Sequence, residues 1–179
     1  FVPGATSLVW NRGFELHIKQ EAQLEESKAT GIKAAIDLGE IHHSAVSTNT
    51  SQGLIVSGRG IRSLKRQRNI VLAKFSRKQS KCIKYSKRWK KLQTAKNRFC
   101  LRNKRQMREY RHNCTRQVVE FCQTHDVDTV FIGNPDGVRK KNCGRRHNQR
   151  MAQWEYGKDL DYLTYKFKMA GISVLTGSE

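Results

Sequence analysis

The chain has 179 residues, with 35 Lys and Arg against 15 Asp and Glu, which gives a formal charge of +20 at pH 7. Its length suits one domain with part of a second. Hydrophobic residues make up 37%, which excludes a wholly disordered basic tail, and no apolar run approaches the roughly 18 residues of a transmembrane helix. A charge this large predicts a polyanionic partner, by default nucleic acid, and no membrane partner.

The first 30 residues predict a β-hairpin followed by a linker. The chain opens on Phe1–Gly4, with neither a start methionine nor a signal peptide, so we expect an internal fragment of a longer protein. Leu8–Trp10 and Phe14–Lys19 flank an Asn/Gly turn, which is typical of a hairpin. Residues 20–30 are polar and lack aromatic side chains. They predict a linker at residues 21–30, between the end of a preceding domain (residues 1–20) and a second domain (residues 31–179).

Residues 31–57 predict a three-stranded antiparallel meander. Gly31–Leu38 is apolar and strand-like, and two shorter strands follow at Ser44–Thr48 and Gly53–Ser57, separated by a polar turn.

Residues 59–122 predict a helical hairpin that carries the excess charge. Apolar residues recur at helical spacing on both sides of a break at Gln79–Ser86, so we expect two long helices. Residues 59–116 contain 22 Lys and Arg and a single acid, Glu109, a net charge of +21, whereas the rest of the chain sums to −1.

A run of charges is usually a solvated helix face, but this many like charges disfavour a compact state unless counter-charge arrives from outside. We therefore predict contacts with nucleic-acid phosphates. Trp89 could stack on a base or, given its spacing from Leu92, pack in the core. The residues predicted to bind nucleic acid are Arg59, Arg62, Lys65, Arg66, Arg88, Lys90 and Lys91, with Arg139, Lys140 and Lys141 further along the chain.

The C-terminal part predicts two more strands and one helix. Asp128–Gly133 has the composition of a buried strand, and Val138–Gln149 predicts a basic loop. Met151–Ala170 predicts an amphipathic helix that packs Trp154 in the core and ends at a Gly171 cap, before a last strand at Ile172–Thr176. This order of elements predicts an α/β fold with a mixed sheet and flanking helices.

The five cysteines are odd in number and include no C-x-x-C pair. They predict neither a disulfide framework nor a complete zinc site, and they fit a reducing compartment such as the cytoplasm or nucleoid.

Asp37 is the candidate catalytic residue, because a carboxylate is out of place in the apolar stretch Ala34–Gly39. Alternation along the strand places it on the face opposite Ile36 and Leu38. It could be a capping or turn residue, or a ligand for Mg²⁺ at the end of a central strand. His42 and His43 follow as surface turn histidines or as participants in metal chemistry.

The stretch Gly31–Glu179 resembles the RuvC-like region of the transposon-encoded TnpB (OrfB) family, relatives of type V CRISPR effectors. The resemblance implies an RNase H-like (RuvC-like) fold, a preceding nucleic-acid-binding barrel that ends in the hairpin, and RNA-guided DNA cleavage with Mg²⁺ or Mn²⁺. It rests on Ala35–His43, Ser57–Lys65, Arg88–Gln93, Val130–Asn134, Asn148-Gln149 and Gln153–Gly157 in combination.

The same resemblance assigns Asp37 as the first catalytic carboxylate and metal ligand. The second acid is expected at the end of the Val130–Ile132 strand, where this chain has Asn134, which can ligate a metal without bringing charge. Asp136 or Glu179 could replace it, and we expect Glu179 near Asp37 because the ends of parallel strands share one sheet edge. The third acid and a Zn²⁺ ribbon are expected beyond residue 179, so we do not expect the isolated chain to cut DNA.

Three functions remain open at this point. The first is that the chain is part of an RNA-guided, Mg²⁺-dependent DNA endonuclease that binds guide RNA and target DNA in the cytoplasm, associated with the nucleoid. Alternatively, it is a nuclease-dead regulator of the same ancestry that acts by occupying DNA, as Asn134 suggests. A third alternative is an unrelated basic structural RNA-binding protein, such as a ribosomal protein.

Overall fold

The structure is a computed structural model that describes residues 5–10, 13–19, 24–27, 29–138 and 142–178. Strands β1 (Thr6–Trp10) and β2 (Phe14–Ile18) pair antiparallel, which confirms the predicted hairpin. Trp10 contacts Phe14 edge to face, with ring centroids 5.0 Å apart, and both rings are exposed.

A second sheet has five strands in the order β5-β4-β3-β6-β7. The first three form the predicted antiparallel meander, although β4 begins two residues earlier than expected and bulges between His42 and Ser44. Strands β3, β6 and β7 are parallel neighbours, so their carboxyl ends meet at one edge of the sheet. The strands are β3 (Lys33–Leu38), β4 (His42–Thr48), β5 (Gly53–Ser57), β6 (Thr129–Asn134) and β7 (Ser173–Ser178).

The predicted helical hairpin is confirmed as α1 (Arg59–Gln79) and α2 (Lys87–Thr124). Ser86 caps α2, because its hydroxyl oxygen accepts a hydrogen bond from the Trp89 backbone N–H at 3.2 Å. All the fully buried residues of α2 lie from Asn103 onward, so the part of the helix nearer the turn is at most half-buried.

Two predictions about the C-terminal part were wrong. The expected loop at 138–149 gives way at Arg145 to a helix, α3 (Arg145–Gln153), and the expected single helix over 151–170 breaks before α4 (Tyr156–Met169). The break falls at Trp154, whose backbone is extended (φ −75°, ψ 112°) and whose side chain is buried. Because core packing overrides helix propensity here, periodicity alone could not locate the break.

One face of the five-stranded sheet is covered by α2 and α4. Ala34, Ile36 and Leu38 of β3 point into this core, where the second half of α2 supplies Val118 and α4 supplies Phe167. On the other face of the sheet the side chains of Ile55, Phe131 and Leu175 are exposed. Asp37 alternates with the core residues and is exposed, as its position in the strand predicts.

The predicted cap at Gly171 is confirmed. Gly171 has a positive φ of 65° and its N–H bonds the Lys168 carbonyl, while the Ile172 N–H bonds the Phe167 carbonyl, the pattern of a Schellman motif. The segment that precedes β3 lies against this turn, because the Glu25 N–H donates to the Met169 carbonyl at 3.1 Å. Across the described residues, no helix combines the length and hydropathy that a membrane span requires.

All five cysteines are free, as expected from their number and spacing. Burial raises the pKa of Cys114 to about 11 and that of Cys122 to about 12, so both remain protonated thiols packed in the core.

Candidate active site and nucleic-acid interface

Asp37 lies near the carboxyl end of the central strand β3 and opens into a cavity of about 420 Å³. Its side chain is exposed on the sheet face that α2 and α4 leave open. Glu40 lies in the same cavity and pairs with Arg62, whose Nε is 3.6 Å from the Glu40 carboxylate. The cavity is lined by Asp37, Gly39, Glu40, Ile41, His42, Ala45, Ile55, His147, Arg150 and Met151.

Asn134 ends β6, the strand beside β3. Ile36 pairs with Ile132, so Gly133 stands at the level of Asp37 and Asn134 lies one residue further on. Alternation turns the Asn134 side chain toward the covered face, and its Oδ1 is buried without a hydrogen-bond partner among the described residues. A buried acceptor of this kind is costly unless a donor or a cation reaches it.

Of the two acids that could replace the missing second carboxylate, the structure describes Asp136 and leaves Glu179 outside the described residues. Asp136 is exposed in the turn after β6, where its carboxylate accepts the Gly137 N–H at 3.0 Å. Glu179 lies outside the described residues, so its predicted approach to Asp37 stays a prediction. Its chain neighbour Ser178 pairs with Asn134 across β6 and β7.

The Asp37 carboxylate fits Mg²⁺ in chemistry, since the cation prefers oxygen and often takes only one or two carboxylates together with water. Asp37 supplies an accessible carboxylate on the open face of the sheet, whereas the Asn134 amide oxygen, which has no hydrogen-bond partner among the described residues, lies toward the covered face. Within the part of the chain that the structure describes, no group of three or more His, Cys, Asp and Glu could hold a metal ion. The described residues therefore offer one carboxylate position of a metal site.

A basic groove of about 590 Å³ runs between α1 and α3 beside the Asp37 cavity. The two cavities share Glu40 and Arg150, so the groove adjoins the cavity that holds Asp37. Asn69 and Gln153 exchange two side-chain hydrogen bonds of 3.2 Å, which tie α1 to α3. The groove is lined by Glu40, Arg62, Lys65, Arg66, Asn69, Arg146, Gln149, Arg150 and Gln153.

Two cations of this groove are incompletely satisfied inside the protein. Burial lowers the pKa of Lys65, and the nearby Arg111 guanidinium lowers it further. Arg150 has a buried Nε with no hydrogen-bond partner in the described ranges. An anion in the groove would favour the charged form of Lys65 and give Arg150 an acceptor, so the groove suits a phosphate group.

The basic residues predicted to bind nucleic acid separate into two surfaces. Arg62, Lys65 and Arg66 lie in the groove. By contrast, Arg88, Lys90 and Lys91 are exposed at the start of α2, next to the turn between the two helices, while Arg59 is exposed at the base of α1. At about 1.5 Å per residue, the 13 residues from Arg66 to the end of α1 separate the surfaces by about 20 Å. Arg139, Lys140 and Lys141 lie outside the described residues.

Sequence reasoning missed a buried ion network at the base of the hairpin. Arg111, which we counted with the basic surface, is 3% exposed and donates to Asp159 at 2.6 Å and to Glu155 at 3.0 Å. His43, expected at the surface, is also buried, with Nε2 3.4 Å from the Asp159 carboxylate, whereas His42 is exposed. Asp159 lies on the same face of α4 as Leu163 and Phe167, because the three are spaced four residues apart. This spacing was the feature of the sequence that could have predicted its burial.

The two tryptophans singled out in the sequence lie in different surroundings. Trp154 is buried in the core, as predicted. Trp89 is half-buried near the turn between α1 and α2, and its ring contacts Tyr85.

A family model described as OrfB_IS605, probable transposase, matches residues 15–139, which is most of the chain. The chain belongs to the OrfB_IS605 family. This membership confirms the resemblance noted in the sequence and excludes an unrelated ribosomal-type protein. A comparison with curated proteins found no match to this chain.

Solved structures with a similar fold include two cryo-EM structures of Cas12f. A CRISPR-Cas12f ternary complex aligns with a TM-score of 0.65 at 14% identity, and the alignment covers 93% of this chain and 32% of the Cas12f chain. A Cas12f1 complex with sgRNA and target DNA aligns with a TM-score of 0.61 at 12% identity, and the alignment covers 86% of this chain and 37% of the Cas12f1 chain. This chain thus spans about a third of the length of these proteins, and at this identity the likeness concerns the fold.

Proposed function

We propose that this chain is the RNase H-like (RuvC-like) nuclease region of a transposon-encoded, RNA-guided, metal-dependent DNA endonuclease. The observation that carries the proposal is the exposed Asp37 carboxylate at the end of the central strand, next to a basic groove, in a chain of a transposase family. Ligand sites of α/β sheets typically lie at the carboxyl ends of the strands. The geometry therefore supports phosphodiester chemistry at that edge.

The groove residues bind and orient the DNA backbone. Arg62 and Arg146 carry side chains suited to phosphate oxygens, and Lys65 adds a point charge beside them. Asp37 would hold Mg²⁺ or Mn²⁺, which when bound would supply positive charge beside the phosphate. The pairing of Ser178 with Asn134 supports the next residue, Glu179, as a second carboxylate at the same edge.

Guide RNA and target DNA are the proposed partners. The similar Cas12f1 structure contains an sgRNA and target DNA. Phosphate contacts from lysines and arginines position a nucleic acid but carry no sequence information. Sequence choice in this protein would therefore come from base pairing with the guide, as in other RNA-guided effectors.

A nuclease-dead DNA-binding regulator is the second candidate, and Asn134 is the observation that favours it. An amide at the end of β6 cannot supply the negative charge that a carboxylate would bring to a metal site. Such a protein would keep the basic surfaces and act by occupying DNA.

Cleavage by the intact parent protein with its guide RNA, measured on target plasmid in Mg²⁺, tests the proposal. Asp37→Ala should lower the cleavage rate by about 10³-fold or more, because loss of a metal ligand removes several kcal/mol of transition-state stabilisation. DNA binding should stay within about twofold, and Asp161→Ala, an exposed acid on α4, is the matched control. Unchanged cleavage in Asp37→Ala would refute the proposal, and a wild-type protein that binds without cutting would establish the regulator.

A further inference from the structure

The turn between α1 and α2 exposes large apolar side chains among basic residues. Ile83 is 84% exposed and Tyr85 is 62% exposed. The Tyr85 ring stands edge-on to Trp89, with centroids 5.3 Å apart and planes at 62°, and the Lys84 ammonium lies 5.2 Å from the Tyr85 ring centroid. One face of an aromatic ring is therefore presented at the far end of the hairpin.

The turn is held in a defined shape. Tyr85 has a φ of 67°, a left-handed conformation that residues with a side chain rarely adopt. The Ser86 N–H donates to the Ile83 carbonyl at 3.1 Å, and Ser86 caps α2. Gln79 donates to Gln93 at 2.9 Å and closes the two helices just below the turn. The backbone that carries the exposed ring is thus held by hydrogen bonds on both sides of the turn.

Charge identifies the kind of partner. The sequence has no Asp or Glu between Glu40 and Glu109, so the cations around the turn have no acid on the hairpin itself until Glu109. A partner that neutralises them and covers a flat ring must combine negative charges with planar apolar groups. Single-stranded nucleic acid has both, because its phosphates are charged and its unpaired bases stack. The cations are Lys78, Lys81, Lys84, Lys87 and Arg88.

We propose that the turn Ile83–Trp89 is a base-stacking site that binds an unpaired nucleotide of single-stranded nucleic acid, with Tyr85 as the stacking ring. The surrounding lysines bind the flanking phosphates. This inference rests on the proposed nucleic-acid binding by the hairpin, but it does not depend on cleavage or on Asp37.

The test compares the affinity of this chain for dT15 and for an abasic 15-mer with the same number of phosphates, at one salt concentration and without Mg²⁺. The wild type should bind dT15 about 5- to 150-fold more tightly, the range expected for one stacked base. Tyr85→Gly should remove most of this preference and leave the affinity for the abasic strand unchanged. Tyr85→Phe should keep the preference, because the ring is retained.

The Tyr85→Gly variant also distinguishes a loss of base binding from a loss of folding. Since glycine adopts a positive φ without steric strain, which offsets its larger loss of conformational entropy, Tyr85→Gly should change the melting temperature little. Tyr165→Ala on α4, another exposed tyrosine, is the control and should keep the preference for dT15. A Tyr85→Gly protein that still prefers dT15 would overturn the proposal, as would a turn that binds anionic lipid vesicles but neither oligonucleotide. Failure of the cleavage test with Asp37→Ala would leave this result standing.

Discussion

The two ends of α2 place the same residue types in opposite electrical surroundings. At the end that contacts the sheet, Arg111 is buried and two carboxylates from α4 and its N-cap neutralise it. At the other end, Arg88, Lys90 and Lys91 are exposed in a segment whose sequence contains no acid. An arginine stabilises the fold where its counter-charge belongs to the chain, and it becomes a binding residue where that counter-charge must come from a partner. A total charge of +20 conceals this difference.

The largest expected effect is a loss of stability at the end of α2 that contacts the sheet, where Asp159 and Glu155 neutralise Arg111 (the neutralised end). Asp159→Ala would leave Arg111 and His43 buried without their shared carboxylate, so we expect a loss of about 3–5 kcal/mol in the free energy of unfolding. Urea denaturation measures it. Asp161→Ala on the exposed side of the same helix should change stability by at most about 0.5 kcal/mol. If the two variants lose the same stability, the buried network does not hold the hairpin to the sheet.

A smaller effect should appear at the other end of α2, around Arg88, where we expect the salt dependence of nucleic-acid binding to change and the stability to stay the same. Each phosphate contact contributes a slope of about −0.9 to log K against log salt for duplex DNA, so six contacts give about −5. Replacing Arg88, Lys90 and Lys91 by Gln should make the slope shallower by about 2 to 3 units without altering the unfolding curve. Lys168→Gln on α4 is the control. A slope that is flat in the wild type would contradict the assignment of the hairpin to nucleic acid.

The smallest effect is a pH dependence of stability, which we expect to come from Glu155 at the neutralised end. Burial raises the pKa of Glu155, but hydrogen bonds from Lys158 and Arg111 outweigh it and hold that pKa below the ordinary 4.5. A depressed pKa contributes stability above 4.5 that is lost as the pH falls through the folded value. Glu155→Gln should therefore flatten part of the acid side of a melting-temperature profile. An unchanged profile below pH 4.5 would contradict this origin of the acid sensitivity.

The elements that sequence predicted well depend on neighbours close in the chain. Alternation placed Asp37 opposite Ile36, and helical spacing located both arms of the hairpin. The features it missed depend on contacts between distant segments. Arg111 is buried against Asp159, 48 residues later, and the groove lies between helices that Asn69 and Gln153 tie together across 84 residues. A loop rich in Asn and Arg also concealed the start of α3.

The candidate site was predictable only in part for the same reason. The exposure of Asp37 and its place on the central strand followed from a local pattern. The burial of the Asn134 Oδ1, without a hydrogen-bond partner in the described ranges, could not be foreseen, because it depends on what packs over the end of β6. The roles of Asp136 and Glu179 stay predictions.

The length of α2 limits how the hairpin can be redesigned. The 38 residues of this helix make a rod of about 57 Å, and its second half covers the sheet, so the hairpin cannot be excised as a cassette. Two contacts anchor its base: Asn103 donates to the Leu64 carbonyl at 3.2 Å, and a Cβ at Gly60 would overlap the ring of Tyr110. Matched deletions of about seven residues from each arm, two helical turns, would shorten the rod by about 10 Å and leave both anchors in register. The reach of the hairpin is thus adjustable in steps, from the turn inward, while its base stays fixed.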